Sequence, residues 1–405
     1  MRINRRSLLH AAVAGVVSGL APARASDPSI KIGILTDMSG ATSAEAGMGS
    51  VISATLAVEE FGGSVLGRPI AVLSADHQNK ADTAVTIARE WIEVEGVQFI
   101  GDLQNSAVAL AVQNLAREKQ RISVVTSAVS SDLTGKGCSP TGFHWNVDSY
   151  ALAHAPVRAL LQQGKDTWFF ITADYAFGYA MERDATEEIK KLGGKVLGSV
   201  HMPQGTMDFS SYILSAQASG AKVLALANAG QDAIATIKQA AEYGLMAGNQ
   251  IVSALAFTIA STHALGLDIA QGLWAAETFY WDRDDASRDF SKKFFTKAGK
   301  MPSQSHAAIY SAVSHYLKSV KAESSHDSAK VAARMRATPV SDFYAADAIL
   351  REDGRLLCNV LLLQAKKPSE SKSAWDIYNV REVIAPGNAW RPLSETACPF
   401  LSDSK

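Results

Sequence analysis

The stretch Asp102-Leu103-Gln104-Asn105-Ser106-Ala107-Val108-Ala109-Leu110-Ala111-Val112 (DLQNSAVALAV) sets a polar knot between two apolar runs. Val97-Gln98-Phe99-Ile100-Gly101 leads into it, and small apolar residues continue to Ala116. A short apolar run reads as a strand, and the longer one that follows reads as a helix. Asn and Ser at the opening of that helix are residues whose side chains accept the free N–H groups of a first turn. The stretch is therefore a strand–loop–helix unit.

The same unit recurs in both directions. Strands are expected at 30–35, 69–73, 97–100 and 122–125, with helices at 49–61, 81–94 and 106–118. The helix at 49–61 stops at Gly62-Gly63. After Tyr150 the alternation restarts, with helices at 151–163, 179–192, 209–218 and 232–243 and strands at 167–171, 195–200, 222–226 and 250–254. Repeated βα units give parallel sheets with helices on both faces. The fold class is α/β, with two doubly wound parallel-sheet lobes in series. Past Gly272 the rhythm changes: an extended run at 273–279, helices between 286 and 336, and a turn at Asp353-Gly354 between 348–350 and 356–363. A last strand is expected at 375–383, then a tail. No Pro- or Ser-rich linker lies near residue 148, so the chain is expected to cross between the lobes more than once.

The 405 residues carry a formal net charge of −1 with 47% hydrophobic residues. Long basic faces for nucleic acid or an anionic membrane are excluded by that balance. The first 25 residues read as an export signal: a basic start, an apolar run to Leu20, and Ala23-Arg24-Ala25 before a cleavage point at Ser26. Arg5-Arg6-Ser7-Leu8-Leu9 resembles a twin-arginine signal; a general secretory signal with two arginines is the alternative. No cysteine stands at the cleavage point to take a lipid anchor, and no later run is long and apolar enough to span a bilayer. The mature chain is expected to be periplasmic and soluble. Of three cysteines, Cys138 and Cys398 sit in loop-like sequence and Cys358 in an apolar strand. A Cys138–Cys398 disulfide with Cys358 free and buried is the expected arrangement; three free thiols is the alternative.

Motifs for catalysis, metals or cofactors are absent. The chain lacks the phosphate-loop, H-E-x-x-H, C-x-x-C and G-x-S-x-G patterns, and Gly47-Met48-Gly49 lies too far from a strand for a dinucleotide fingerprint. Asp282, Asp284 and Asp285 read as a solvated helix start, and His77 as a cap for the helix that follows it. Ligands of open α/β sheets bind at the carboxyl ends of the strands. Four loops of the first half put small polar residues there: 36–40 with Ser39, 75–78, Gln104-Asn105-Ser106, and 126–130 with Ala128 and Ser130. Each serine could serve only as its own helix's cap, but four such loops on one edge point to an anion-binding site. The second half brings Tyr175, Phe177, Asn228, Phe257 and Trp281 to corresponding positions, where aromatics bury the apolar part of a ligand.

At this point a family resemblance is visible. The opening IKIGILTDMSG, SADHQNKAD (74–82), NSAVALAV (105–112), SSDLTGKGCSP (130–140), WFFITADYAFG (168–178) and LANAGQDAIATIKQAAEYG (226–244) resemble the branched-chain amino-acid-binding group of ABC-importer solute-binding proteins. The type I fold of that family implies three lobe crossings, near 148, 275 and 355. The first lobe would be 29–147 plus 279–353, the second 148–275 plus 356–385, and 386–405 a tail. The resemblance implies that Ser106 binds a ligand carboxylate, that Ala128 and Ser130 complete the clamp, and that Tyr175, Phe177, Asn228 and Phe257 close over it. It also implies a membrane-embedded ABC permease as partner, a monomer, and no cofactor. The acidic residue that amino-acid-binding members use near Phe257 is missing here, with Glu45 or Asp232 as substitutes, so a carboxylate without an amine is an equal expectation. A sensor module for a signalling receptor and an exported enzyme are the alternatives.

Overall fold

The computed structural model describes residues 29–245 and 250–401; the expected signal segment at 1–25 lies outside them. In chain order the first elements are β1 (Ile30–Thr36), α1 (Gly47–Phe61), β2 (Ser64–Val65), β3 (Arg68–Asp76), α2 (Ala81–Glu90), β4 (Phe99–Asp102), α3 (Ser106–Glu118), β5 (Ile122–Val125) and β6 (Gly142–His144). They form a six-stranded sheet in the order β2-β3-β1-β4-β5-β6. All pairings are parallel except the small β2–β3 hairpin. Strands β4 and β5 are buried at every position, as expected of central strands covered on both faces. The order turns back at β1, with β3 on one side and β4 on the other, so a crevice opens at the carboxyl ends of β1 and β4.

A second set follows: α4 (Ser149–Gln162), β7 (Thr167–Ala173), α5 (Ala176–Lys191), β8 (Lys195–Met202), α6 (Ser210–Ala218), β9 (Val223–Ala229), α7 (Gly230–Glu242), β10 (Ile251–Ala256) and α8 (Ile259–Leu265). Its four strands pair in parallel in the order β10-β9-β7-β8, with the reversal at β7. The chain continues through α9 (Leu267–Ala270), β11 (Trp274–Glu277), α10 (Asp285–Ala298), α11 (Gln304–Glu323) and α12 (Ser328–Ala337). It goes on with β12 (Ile349–Leu350), β13 (Leu356–Leu357), β14 (Val360–Ala365) and β15 (Tyr378–Ile384), and a short helix, α13 (Pro386–Ala389), follows. Strands β11, β14 and β15 make an antiparallel three-stranded sheet, and β12–β13 is the hairpin turned at Asp353-Gly354. Gly354 has φ +87°, and a Cβ there would lie 2.3 Å from Gly142 O, so both the turn and the close approach require glycine.

Three details depart from the sequence pattern. The helix expected over 81–94 stops at Glu90 and continues as a wider π turn, Trp91–Glu95. That turn seats the Trp91 ring over Gly33, where a Cβ would meet it at 2.5 Å. The run expected as one strand at 356–363 is split between β13 and β14, with the buried Cys358 at the break. Strands β2 and β6 are too short to stand out as periodic runs.

Arg355, 1% exposed, ties this hairpin to the segment entering α4. It donates to Asp148 Oδ2 at 3.1 Å and to the carbonyls of His144 and Asn146, and its guanidinium lies 4.5 Å over the Trp390 ring. Cys138 and Cys398 form a disulfide, and Cys358 is the free, buried thiol, its pKa pushed up to about 12 by burial. The tail so anchored also bonds through Thr396 Oγ1 to Thr134 O at 2.9 Å and through Arg391 to Asp184 at 3.1 Å. Replacing both bridging cysteines with serine is expected to lower unfolding stability by about 2–5 kcal/mol in urea titrations. A loss under about 0.5 kcal/mol would show that the bridge does not restrain the unfolded chain.

Candidate functional site

The carboxyl ends of both parallel sheets face one shared cavity. From the first sheet come the loops after β1 (Thr42, Glu45), β3 (Asn79), β4 (Gln104 to Ser106) and β5 (Ser127 to Val129), with Asn146 and Val147 after β6. Tyr175 and Phe177 come from the β7–α5 junction, Ala229 from the end of β9, and Ala256, Phe257 and Thr258 from the end of β10. Leu152 of α4 and Gln304 and Ser305 of α11 complete the lining. No Lys, Arg or His stands among the described lining residues; Glu45 is the charged one.

The loop from β4 into α3 is strained. Asp102, Leu103 and Asn105 have φ of +77°, +55° and +74°, values that side-chain-bearing residues rarely adopt. Buried hydrogen bonds hold it there. Asp102 is fully buried and receives the hydroxyls of Thr126, at 3.0 Å, and Ser127, both from the loop after β5. Burial is the largest influence on its carboxyl and raises its pKa. Asn105 caps α3, accepting from Ala107 N at 2.9 Å and Val108 N at 3.4 Å. The cap is therefore Asn105, and Ser106 is released from that duty. Ser106 Oγ accepts from Ser130 N at 3.2 Å, which leaves its own proton to donate at the first turn of the helix.

Helix α11 reaches the cavity by a separate route. His306 Nδ1 accepts from Ser303 N at 3.0 Å, so Nε2 carries the proton to Ala46 O at 2.9 Å. Burial pushes the His306 pKa down to about 3, which keeps the ring neutral. Gly49 makes room for this ring, since a Cβ there would lie 2.1 Å from Nε2. Ser303 Oγ donates to Glu45 O at 2.5 Å, and Gln304 and Ser305 are carried in beside Glu45.

Glu45 spans the cleft: Ser261 Oγ of α8 donates to its Oε1 at 2.6 Å. Burial raises its pKa, against hydrogen bonds from Ser261 and Thr258 that lower it. Behind it Glu277, 1% exposed, accepts from Ile259 N at 2.8 Å, and its Oε2 has no partner among the described residues. Burial first and the neighbouring Glu45 second raise the Glu277 pKa well above the usual carboxyl value, which favours its protonated form.

Of the residues singled out in the sequence, Asn105, Ser106, Ala128, Tyr175, Phe177 and Phe257 line the cavity together. Four others do not. Ser39 Oγ donates to Asp76 Oδ2 at 2.6 Å. The Ser130 hydroxyl accepts from Asp132 N at 3.3 Å, and only its backbone N–H reaches Ser106. Asn228 is fully buried and donates to Thr236 Oγ1 at 3.0 Å; Trp281 donates to Trp375 O at 2.8 Å. Of the two acids considered for an ammonium, Glu45 lines the cavity, while Asp232 accepts from Gly205 N outside it. His77 Nδ1 accepts from Asn79 N at 3.1 Å and shapes the loop ahead of α2 rather than capping it. Asp284 caps α10 through Ser287 N at 2.8 Å, as the acidic cluster suggested. Asn146, Gln304 and Ser305 were missed, because tertiary packing alone brings them to the cavity.

Two parallel sheets that turn their carboxyl ends to one shared cavity define a type I two-lobed solute-binding protein. The chain belongs to the periplasmic binding protein family, whose model matches residues 29–372. A periplasmic binding protein from Burkholderia mallei is similar in structure, with TM-score 0.91, 43% identity, and coverage of 93% of this chain and 100% of that one. A branched-chain amino-acid ABC transporter periplasmic ligand-binding protein from Burkholderia xenovorans LB400 has TM-score 0.82 and 39% identity, covering 91% and 99%. In sequence, the Leu/Ile/Val-binding protein homolog 7 of Brucella suis biovar 1 (strain 1330) is 24% identical over 320 residues, 75% of this chain and 78% of the relative. The chain is thus a periplasmic solute-binding protein of the ABC-transporter type. Among the described residues no helix is long and apolar enough to cross a membrane.

The Glu277 proton gives a pH signature. The folded state holds it more tightly than the unfolded chain, whose glutamate pKa is about 4.3. The Glu277 contribution to stability therefore falls as pH rises above that value. Glu277→Gln removes the ionisation while its amide oxygen keeps the Ile259 bond. The variant is expected to gain stability over wild type as pH rises, with the gain vanishing near pH 4 in denaturant midpoints. A difference independent of pH would contradict the shifted carboxyl.

Proposed function

We propose that this protein traps a small carboxylate, of the amino-acid, keto-acid or aromatic-acid kind, between its two lobes in the periplasm and delivers it to a membrane-embedded ABC permease. The lobes divide as 29–147 plus 279–353 and 148–275 plus 356–385, and the three crossings act as a stiff hinge. The protein works as a monomer and without catalysis. One observation carries the reading: Ser106, whose Oγ accepts from Ser130 N and keeps its own proton to donate, lines the cavity at the start of α3 together with Ala128 and Val129. Hydroxyl and N–H donors at a helix N-terminus hold an anion without a formal positive charge. Tyr175, Phe177 and Phe257 supply the apolar cover from the second sheet, their first two rings 5.6 Å apart. The charge-free donor set suits a single carboxylate better than a phosphate, which calls for more compensation.

Thermal-shift screening of carboxylates, amines and neutral sugars tests the ligand class. Carboxylates should raise the melting temperature through preferential binding to the folded state. Stabilisation by sugars alone would reject the clamp. Ser106→Ala should weaken carboxylate binding about tenfold or more, as loss of a charge-assisted hydrogen bond does. An unchanged Kd would remove Ser106 from the site.

A further inference from the structure

A buried polar atom is costly unless something satisfies it. In this cavity the unsatisfied acceptors gather on one wall. Gln104 is 6% exposed, and its Nε2 donates to Thr42 O at 3.0 Å. That bond sets the amide so that Oε1 is the free end. Oε1 has no hydrogen-bond partner among the described residues, and neither has Oδ1 of Asn79 on the neighbouring loop. Glu45 adds a carboxylate to the same wall. Asn146 shows that this is not a general property of the cavity. Its Nδ2 donates to Thr126 O at 2.9 Å, and its Oδ1 accepts from Val147 N at 2.8 Å and Thr278 Oγ1 at 2.6 Å, so its amide is satisfied.

Strand order places this wall relative to the anion clamp. Across the sheet edge the order is β3-β1-β4-β5. Asn79 follows β3 and Glu45 follows β1; the Gln104 side chain leans to the β1 loop through Thr42. The clamp of Ser106 and Ala128 follows β4 and β5. The edge therefore runs from acceptors to donors over one to two strand spacings, about 5–10 Å. An α-ammonium, one carbon from its carboxylate, reaches at most the near part of this span, and a donor at the far end of the ligand reaches the acceptors that follow β1 and β3.

We infer that Gln104, Asn79 and Glu45 form a subsite for a hydrogen-bond-donating group (ammonium, amide or hydroxyl) at the end of the ligand remote from its carboxylate. The cavity then selects ω-substituted acids over acids with a wholly apolar tail. The inference rests on the carboxylate reading and adds what lies at the other end.

Titration calorimetry on matched pairs tests it: valerate against its ω-amino derivative, and phenylpropionate against its para-hydroxy derivative. The donor-bearing member of at least one pair should bind wild type about tenfold tighter or more, the scale of satisfying buried acceptors. In Gln104→Met and Asn79→Leu the affinity ratio within that pair should fall to within about threefold. Cooperative thermal unfolding of each variant confirms that it is folded. Asn79→Leu, which breaks no side-chain hydrogen bond among the described residues, carries the test if Gln104→Met does not fold. Equal or tighter binding of the apolar-tailed acids to wild type overturns the subsite and leaves the clamp standing. Failure of every acid to bind overturns the clamp, and this inference with it.

Discussion

The site depends on one buried carboxyl. Asp102 ends β4 at the centre of the first sheet, and its oxygen gathers Thr126 and Ser127 from the end of β5. That link fixes two neighbouring loops against each other while three of the four residues from Asp102 to Asn105 sit at positive φ. Strain of this kind persists only where the surroundings over-determine it. Its consequence is local: the chain turns so that Asn105 caps α3 and the Ser106 hydroxyl is left for the cavity. Without the Asp102 link, the loop would relax toward an ordinary capped turn, and the donor set would lose its convergence.

The second constraint is how the two sheets meet. Glu45, after β1, accepts from Ser261, after β10, and Gln231 N of α7 donates to Ala41 O at 3.2 Å, so hydrogen bonds bridge the cleft beside the cavity. Glu277 stands behind it, and burial favours its protonated form, which lessens its repulsion with Glu45. Away from the cavity, Arg355 joins the Asp353-Gly354 hairpin to the carbonyls ahead of α4, and the disulfide-anchored tail lies against the same region. Packed connections of this kind suit domain closure over a ligand with little internal rearrangement.

Much of this was legible in the sequence, for physical reasons. Parallel strands buried on both faces are continuous apolar runs, so β4, β5, β7 and β9 announce themselves. The loop after β4 was legible because Gln104, Asn105 and Ser106 break such a run at the point where ligands bind in α/β folds. The division of labour between Asn105 and Ser106 was not legible, since both are good caps and only the backbone decides. Gln304 and Ser305 lie far along the chain and arrive through the His306–Ala46 contact, which leaves no local pattern. Ser39, Asn228 and Trp281 have the right residue types in the right loops, but Ser39 Oγ, Asn228 Nδ2 and Trp281 Nε1 donate to neighbours outside the cavity. The π turn at Trp91 answers to Gly33 across the fold, so helical periodicity could not foresee it.

Together the strained loop, the cation-free donor set and the aromatic cover support the proposal that this solute-binding cleft takes an organic acid. The most direct test is a crystal structure of the protein purified without refolding and grown with a carboxylate that stabilises it. The account predicts the carboxylate in the cleft, with an oxygen at about 2.6–3.2 Å from Ser106 Oγ and further contact to the Ala128–Val129 backbone. A ligand bound with its carboxylate turned away from Ser106, or held outside the cleft, would contradict it.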